Sequence, residues 1–333
     1  MQAERILIVR TDRLGDVVLS LPVACAIKQK FPDAEVGFLC RKYTEPVVSM
    51  SRDVDEIFVV EDENLREKIS RYDVAVLVHP VLRDAVLLWR AGIPVRIGTA
   101  YRGYSFLFTH RVAEHRKDCR FSEAAYNLHL LRPLGIDVDF APILLVPPDD
   151  AAAKVERILT KRGFFKNKFI AIHPGSGGSS LSWSAQRFAE LANILSRKNV
   201  PFVITAGDGE YEIARYVAGS DERRIFEKLD IKSLAALYSM SAALIAPNTG
   251  TLHLADAVGT KTFSVYPLLR TMSLPRWSPI NFKNGILLPQ KDKVCKKCSK
   301  RCEIYPCPDQ IAAEDMISHI EKFIDISSLL RGT

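Results

Sequence analysis

The first side chains that could do chemistry lie in the stretch RTDRLGD, residues 10–16, which follows a short apolar run. Two arginines and two aspartates surround one glycine, at the point where a buried strand should give way to a helix. One glycine does not satisfy the G-x-G-x-x-G pattern of a dinucleotide-binding turn. Asp16 would stand at the helix start, where the helix dipole favours an ionised carboxylate. Two interpretations stay open: Asp16 caps the helix, or it is a general base that faces a ligand cleft.

A second candidate is the glycine-rich stretch HPGSGGSSLSW, residues 173–183, which lies between a predicted strand and a predicted helix. Its glycines would let backbone N–H groups approach a phosphate closely. The stretch lacks the G-K-[ST] ending of a P-loop, which argues against an NTPase of that type. The alternative is a flexible loop that binds nothing.

A third candidate is the stretch PNTGTLHLADAVG, residues 247–259. Asn248 or Thr249 would cap the helix that starts here, and the free N–H groups of Thr249, Gly250 and Thr251 would form an anion site. His253 lies in the first turn, where it would offer a diphosphate a hydrogen-bond donor or a positive charge. The alternative is a buried structural histidine.

Four cysteines fall close together near the end of the chain, in the pattern C-x2-C-x3-C-x4-C. They are Cys295, Cys298, Cys302 and Cys307, and four lysines and arginines lie between them. The spacing matches neither the paired C-x2-C knuckles of a zinc ribbon nor the ferredoxin run, and a disulfide is not expected in a cytosolic protein. A metal knuckle and a set of reduced structural thiols both remain open.

The elements that must position these residues alternate between short β-rich runs and helical patterns, as in parallel α/β proteins. The first half predicts strands at 5–9, 35–40, 56–60, 73–79 and 95–98, with helices at 16–30, 43–51, 63–71, 83–91 and 122–134. The stretch 139–153 holds three prolines and reads as an interdomain linker. The second half predicts strands at 168–173, 201–207, 223–227, 242–247 and 261–267. Its predicted helices are 184–198, 209–219, 230–241, 250–259 and 312–325.

A chain of 333 residues is too long for one ordinary core. The restart of the pattern after the linker predicts two similar α/β halves, doubly wound and facing each other. Ligands would bind in a cleft at the carboxyl ends of the strands.

The formal net charge of +7 suits an anionic partner. The basic residues form no aromatic-interleaved stripe, so we do not expect nucleic acid. No apolar stretch reaches the 18–20 residues or so of a membrane span, and MQAER does not resemble a signal peptide. We therefore expect a cytoplasmic protein, with a peripheral membrane contact left open.

Five stretches in order along the chain resemble glycosyltransferase family 9, the ADP-heptose:lipopolysaccharide heptosyltransferases. They are ILIVRTDRLGDVVLSLPVACAIKQKFP, VRIGTAYRGYSFLFTHRV, YNLHLLRPLGI, IAIHPGSGGSSLSWSAQRFAELANIL and NTGTLHLADAVGT, and the resemblance runs from residue 5 to about 266. It implies the GT-B architecture of two Rossmann-like domains: residues 1–148 for the acceptor and 149–311 for the nucleotide sugar. It also implies that the last segment, 312–333, packs back on the N-terminal domain.

The resemblance implies an inverting transfer without a metal ion or cofactor. Asp16 would be the general base, and Arg10, Arg13 and Arg83 would contact an acceptor phosphate or carboxylate. The donor would be ADP-L-glycero-D-manno-heptose, and the acceptor a hydroxyl of the anionic, lipid-linked inner core. The reaction would take place at the cytoplasmic face of the inner membrane of a Gram-negative-type bacterium. The residues that would hold the nucleotide sugar are Ser176, Gly177, Glu210, Asn248, Thr249, Gly250 and His253, with Glu210 on the nucleoside.

Three positions depart from the family pattern. Leu181 replaces a phosphate-binding lysine, Ser184 follows Trp183 in place of proline, and Asn248 replaces an aspartate. Another basic residue, such as Arg187 or Lys261, could supply the missing cation; otherwise the donor differs or the activity is weak. The departures keep two alternatives open: transfer of another nucleotide sugar or to a different glycan, and a catalytically silent homologue that binds a sugar nucleotide.

Overall fold

The computed structural model of the protein describes residues 4–290 and 295–330. The chain divides into two compact units between Val146 and Pro147, two residues before the boundary expected after residue 148. Residues 1–3, 291–294 and 331–333, which the expected domain ranges include, lie outside the described residues.

The first unit is built on a parallel sheet with the strand order β3-β2-β1-β4-β5-β6 among its described residues. The strands are β1 Arg5–Val9, β2 Glu35–Cys40, β3 Glu56–Val59, β4 Val74–Leu77, β5 Val95–Thr99 and β6 His110–Val112. Their nearly continuous apolar runs are buried, as expected of strands covered on both faces. The order reverses between β1 and β4, and Arg10 follows β1 at this switch point, where doubly wound folds bind ligands.

The helices of the first unit are α1 Leu14–Val18, α2 Pro22–Lys30, α3 Glu45–Val48, α4 Leu65–Ile69, α5 Leu82–Arg90 and α6 Glu123–His129. The single helix predicted at 16–30 is wrong, because the structure has two helices there. Pro22 lacks an N–H and is favoured in the first turn of a helix, so α2 starts at this residue. The break leaves α1 as a short helix that carries Asp16 in its first turn.

The second unit repeats the same parallel topology, with the order β12-β11-β10-β7-β8-β9 among its described residues. The strands are β7 Ile170–Ile172, β8 Phe202–Ala206, β9 Ile225–Glu227, β10 Ala243–Ile245, β11 Lys261–Val265 and β12 Ile286–Leu287. Read from β9, this is the order of the first sheet. The fold class predicted from the sequence, two doubly wound α/β sheets, is confirmed.

The helices of the second unit are α7 Asp149–Lys161, α8 Ala185–Arg197, α9 Tyr211–Ala218, α10 Ile231–Ser239, α11 Gly250–Ala257, α12 Leu274–Trp277 and α13 Ala313–Ile320. The predicted linker at 139–153 is wrong at its end, because α7 begins at Asp149. The two aspartates in the first turn stabilise the start of α7 through their interaction with the positive end of the helix dipole. The alanines that follow are strong helix formers.

The final helix α13 packs in the core of the second unit, which corrects the expectation that it returns to the first domain. Met316, Ile317 and Ile320 belong to the same apolar cluster as Leu191 and Leu195 of α8. These α13 residues recur at three- and four-residue spacing and form one buried stripe, which α8 covers. Among the described residues, none of the helices is both long and apolar enough to cross a bilayer.

Candidate active site

The centre of the first unit's candidate site is Arg10, a guanidinium that is only 2% exposed. Its Nε donates to Asp12 Oδ1 at 2.7 Å, its Nη1 to Glu123 Oε1 at 3.1 Å and its Nη2 to Asp16 Oδ1 at 2.5 Å. Such charge-assisted bonds fix the geometry of each carboxylate as well as neutralising it. The structure therefore buries Arg10 among three carboxylates, and its expected contact with the acceptor stays a prediction.

Asp16 does not cap its helix. The N-cap of α1 is Arg13, no side chain makes a capping hydrogen bond, and the Asp16 carboxylate is paired with Arg10. Burial raises the pKa of Asp16 to about 6, against the lowering effect of Arg10, and Asp12 and Glu123 raise it further. A carboxylate that titrates near pH 6 suits a general base at neutral pH. Of the two interpretations of this residue, the structure excludes capping.

Glu123 pairs with Arg10 and is itself paired with Arg116, a network that the sequence analysis missed. The Glu123 side chain is 3% exposed, and its Oε1 also accepts a hydrogen bond from Arg116 Nη1 at 2.6 Å. Arg116 donates in addition to Asn127 Oδ1 at 3.0 Å. Ser122 caps α6, which sets Glu123 and Asn127 one turn apart on the same face. The available signal in the sequence was a glutamate and an asparagine four residues apart in a helix whose other residues are mostly apolar.

The two other arginines expected to meet the acceptor lie differently from Arg10. Arg13 is exposed. The Arg83 side chain is 59% exposed, and its Nε donates to Asp84 Oδ1 at 2.8 Å. Asp84 is itself buried and accepts a hydrogen bond from Thr11 Oγ1 at 2.5 Å. The Nε atom of Arg83 is thus held by Asp84, while most of the side chain is exposed to solvent. Contact of either arginine with the acceptor stays a prediction.

In the second unit, Glu210 ties together two glycine-containing loops at the carboxyl ends of β7 and β8. Its Oε2 accepts the Gly207 N–H at 2.9 Å, and its Oε1 accepts the Gly177 N–H at 3.1 Å. A Cβ atom on Gly175 would lie 2.1 Å from this carboxylate, so any side chain at this position would displace the Glu210 carboxylate. Both oxygens of Glu210 accept hydrogen bonds from the protein backbone, and Oε2 also lies 3.4 Å from His173 Nε2. The expected contact of Glu210 with the nucleoside stays a prediction.

The start of α11 presents free backbone donors, as predicted, but without a side-chain cap. Thr249 is the N-cap residue, and its hydroxyl pairs with that of Thr251 at 2.8 Å. Asn248 Nδ2 donates to the carbonyl of Met272 at 3.2 Å. No described residue accepts a hydrogen bond from the N–H of Gly250 or Thr251. These two donors remain available to an anion.

His253 is almost fully buried in the first turn of α11, at 3% exposure. Its Nδ1 has no hydrogen-bond partner among the described residues. Burial lowers the pKa of His253 to about 4, so the ring is neutral at physiological pH. A neutral ring favours the role of hydrogen-bond donor over that of a cation, and contact of His253 with the diphosphate stays a prediction.

Neither cation expected to compensate for Leu181 is free to do so. The guanidinium of Arg187 donates to the Asp309 carbonyl at 2.8 Å and pairs with Glu190 at 2.8 Å. Lys261 is the first residue of β11, and its Nζ donates to the Phe323 carbonyl at 2.8 Å. It therefore lies at the amino end of its strand, whereas the start of α11 follows the carboxyl end of β10.

The four clustered cysteines are free thiols that line one cavity of about 250 Å³, together with Leu181 and Lys297. Within residues 4–290 and 295–330, no group of three or more His, Cys, Asp or Glu side chains is placed to hold a metal ion. The absence of a metal requirement stays a prediction.

The sequence model described as "Glycosyltransferase family 9 (heptosyltransferase)" matches residues 63–307. The chain is 28% identical to a protein of Haemophilus influenzae, over 84% of this chain and 86% of that one. The name of that protein gives glycosyltransferase activity only as a suggestion. It is 23% identical to lipopolysaccharide heptosyltransferase 3 of Escherichia coli, over 91% of this chain and 96% of the relative.

Solved structures share the fold. A family 9 glycosyltransferase of Veillonella parvula superposes with a TM-score of 0.80 at 18% identity, over 96% of both chains. The E. coli ADP-heptose lipopolysaccharide heptosyltransferase II superposes with a TM-score of 0.77 at 16% identity, over 98% of both chains. The fold is therefore the GT-B fold that the sequence resemblance implied.

The family match covers more than half of the chain and includes both the glycine-rich loop and the start of α11. It confirms the resemblance drawn from the five ordered stretches. The protein belongs to glycosyltransferase family 9, the heptosyltransferase family, and is a glycosyltransferase.

Proposed function

We propose that the protein transfers a heptose from ADP-L-glycero-D-manno-heptose to a hydroxyl of the lipopolysaccharide inner core, with Asp16 as the general base. The observation that carries the proposal is the Asp16 carboxylate, held by buried Arg10 at the switch point of the first sheet, with a pKa of about 6. The heptosyltransferase relatives support the class of donor and acceptor.

The geometry of Asp16 suits removal of a proton from an alcohol. Arg10 occupies Oδ1, while Oδ2 has no donor among the described residues and is left for the acceptor hydroxyl. The hydroxyl oxygen forms a bond to C1 of the heptose as the bond from C1 to the ADP oxygen breaks, with inversion at C1. The acceptor proton passes to Asp16 and the electron pair leaves with ADP. The proton becomes acidic as the new bond forms, so a carboxylate is a sufficient base.

The donor diphosphate is assigned to the second unit. Free N–H groups at Gly250 and Thr251 would stabilise the negative charge that develops on ADP. The loop residues Ser176 and Gly177, held in place through Glu210, would approach the same phosphates. His253 would contribute a neutral hydrogen bond. No cofactor or metal ion takes part in this scheme.

The acceptor is assigned to the first unit, where Arg13 and Arg83 are exposed. An inner-core saccharide is anionic and lipid-linked, and a protein of net charge +7 is attracted to anionic membrane surfaces. We infer a cytoplasmic enzyme that works peripherally on the inner membrane, with no nucleic-acid partner.

Transfer of a different nucleotide sugar, or to a glycan other than lipopolysaccharide, is the second candidate. Leu181 removes a cation from the glycine-rich loop, and the Asn248 amide is committed to Met272. Both changes alter the surroundings of the donor. A silent binding protein is a weaker candidate, because the site keeps an ionisable carboxylate held by a buried arginine.

The test is to incubate the protein with ADP-heptose and heptose-deficient lipopolysaccharide, and to measure ADP release and product mass. Asp16→Asn is assayed in parallel, with Asp33→Asn, an exposed aspartate of the same unit, as the matched control. We expect transfer by wild type and by Asp33→Asn, and its loss in Asp16→Asn. ADP binding without transfer would overturn the heptosyltransferase proposal. Full activity of Asp16→Asn would overturn the base assignment alone.

A further inference from the structure

The cysteine-rich segment, residues 295–307, is joined to the elements that the proposed function gives to the donor. At its start, Cys295 donates its N–H to the Leu268 carbonyl at 2.7 Å and accepts the Arg270 N–H at 2.8 Å. Two residues after its end, the Asp309 carboxylate accepts the Ser184 N–H at 2.8 Å. The segment is therefore fixed at both ends against parts of the second unit that flank the glycine-rich loop.

Met272 links that loop to the start of α11. Its sulfur accepts the N–H of Leu181 at 3.4 Å, and its carbonyl accepts the amide of Asn248 at 3.2 Å. Met272 follows Arg270, the residue bonded to Cys295, by two positions. The cysteine-rich segment thus adjoins the point where both phosphate-binding elements of the proposed site come together.

Four cations of the segment are exposed, and no described carboxylate lies within ion-pair distance of any of them. They are Lys296, Lys297, Lys300 and Arg301. Of the four, Lys297 lines the same cavity of about 250 Å³ as Leu181. An unpaired lysine on a flexible stem suits a phosphate, which it meets as a point charge.

We propose that Lys297 supplies the cation for the donor diphosphate that Leu181 cannot provide, and that the cysteine-rich segment holds it there. The inference rests on the proposed function only in assuming that the donor is a nucleoside diphosphate sugar. Arg187 and Lys261 are already committed to other partners, whereas Lys297 has no described ion-pair partner and lines the same cavity as Leu181.

The experiment measures ADP and adenosine binding to the full chain by calorimetry. Lys297→Gln should weaken ADP binding about tenfold or more, the loss expected of one charge-assisted bond, and leave adenosine binding unchanged. Lys300→Gln, an exposed lysine of the same segment outside the cavity lining, is the matched control and should bind ADP as wild type does. Because both lysines are exposed, neither change threatens the fold.

A second variant tests the replacement directly. Leu181→Lys, made in the Lys297→Gln background, should restore most of the ADP affinity. Unchanged ADP affinity in Lys297→Gln, or an equal loss in Lys300→Gln, would overturn the proposal. Normal ADP binding by wild type without heptose transfer would instead overturn the proposed activity and leave the lysine assignment standing. Failure of wild type to bind ADP would overturn both.

Discussion

Asp16 Oδ1 lies 2.5 Å from Arg10 Nη2, and the arginine that holds it is buried beneath two further carboxylates. One guanidinium therefore serves Asp12, Asp16 and Glu123 together. Three carboxylates on one buried cation leave excess negative charge, which Arg116 offsets through Glu123. The arrangement fixes the direction of the Asp16 carboxylate while its pKa stays above the ordinary value.

The pH dependence of transfer should report the ionisation of Asp16. Because only the carboxylate can accept the acceptor proton, we expect kcat/KM to rise with pH through an apparent pKa of about 6. The measurement is a kcat/KM profile from pH 4.5 to 8.5. Glu123→Gln removes one of the negative charges that raise the pKa of Asp16. The rise of kcat/KM should therefore move to lower pH in this variant. A flat profile across pH 5–7 would contradict the assignment of Asp16.

The pH dependence of the free energy of unfolding should also report the raised pKa of Asp16, and this measurement needs no substrate. The pKa of Asp16 is raised from 3.8 to about 6 in the folded protein. Between these values the folded state keeps a proton that the unfolded chain has released, so the free energy of unfolding falls as pH rises through this window. Asp16→Asn removes that fall.

Urea unfolding at pH 4, 5, 6 and 7 measures this difference. The stability of Asp16→Asn relative to wild type should increase by about 2 kcal/mol between pH 4 and pH 7. Asp33→Asn, at an exposed position, provides the baseline. A constant difference across the series would show that the pKa of Asp16 is not raised.

Removal of Arg10 should cost far more stability than removal of Arg13. Arg10→Met leaves Glu123 and Asp16 buried without their shared cation, and breaking a buried ion pair from one side costs about 3–5 kcal/mol. Arg13→Met changes an exposed side chain and should lie within about 0.5 kcal/mol of wild type. Denaturant unfolding at pH 7 gives both values. Equal losses in the two variants would mean that Arg10 does not organise the carboxylates.

The sequence predicted the fold best where apolar runs are long. The central strands β1 and β2 were predicted with their observed bounds, because a strand buried on both faces is apolar throughout. The edge strands β6 and β12 were missed: they have three and two residues, and β6 contains a histidine and an arginine. The packing partner of α13 was also not predicted correctly, because an apolar stripe shows that a helix is covered but not which neighbour covers it.

The candidate site was predicted only where local turn chemistry marks it. Asp16 and the start of α11 were found because a charged or small residue at a strand-to-helix turn is visible in the sequence. The role of Glu123 depends on a contact with Arg10 across 113 residues, which no local pattern reveals. The charge of His253 depends on its burial, and the commitment of Glu210 to the backbone depends on the approach of two separate loops.

The close contact between Gly175 and Glu210 allows a final test of the glycine-rich loop. Gly175→Ala places a Cβ atom 2.1 Å from the Glu210 carboxylate, so the carboxylate must move and release the N–H groups of Gly177 and Gly207. If this bridge holds the loop in shape for a phosphate, ADP binding should weaken about tenfold or more, as expected from the loss of preorganisation. Calorimetric titration with ADP measures the change.

Gly103→Ala is the matched control, because a Cβ atom at Gly103 meets no atom within 4 Å. It lies in the first unit and should bind ADP as wild type does. Thermal unfolding separates loop displacement from general damage, since overpacking at Gly175 should cost about 1–3 kcal/mol without abolishing the folded state. A Gly175→Ala protein that folds and binds ADP normally would show that the Glu210 bridge shapes the loop without serving the donor.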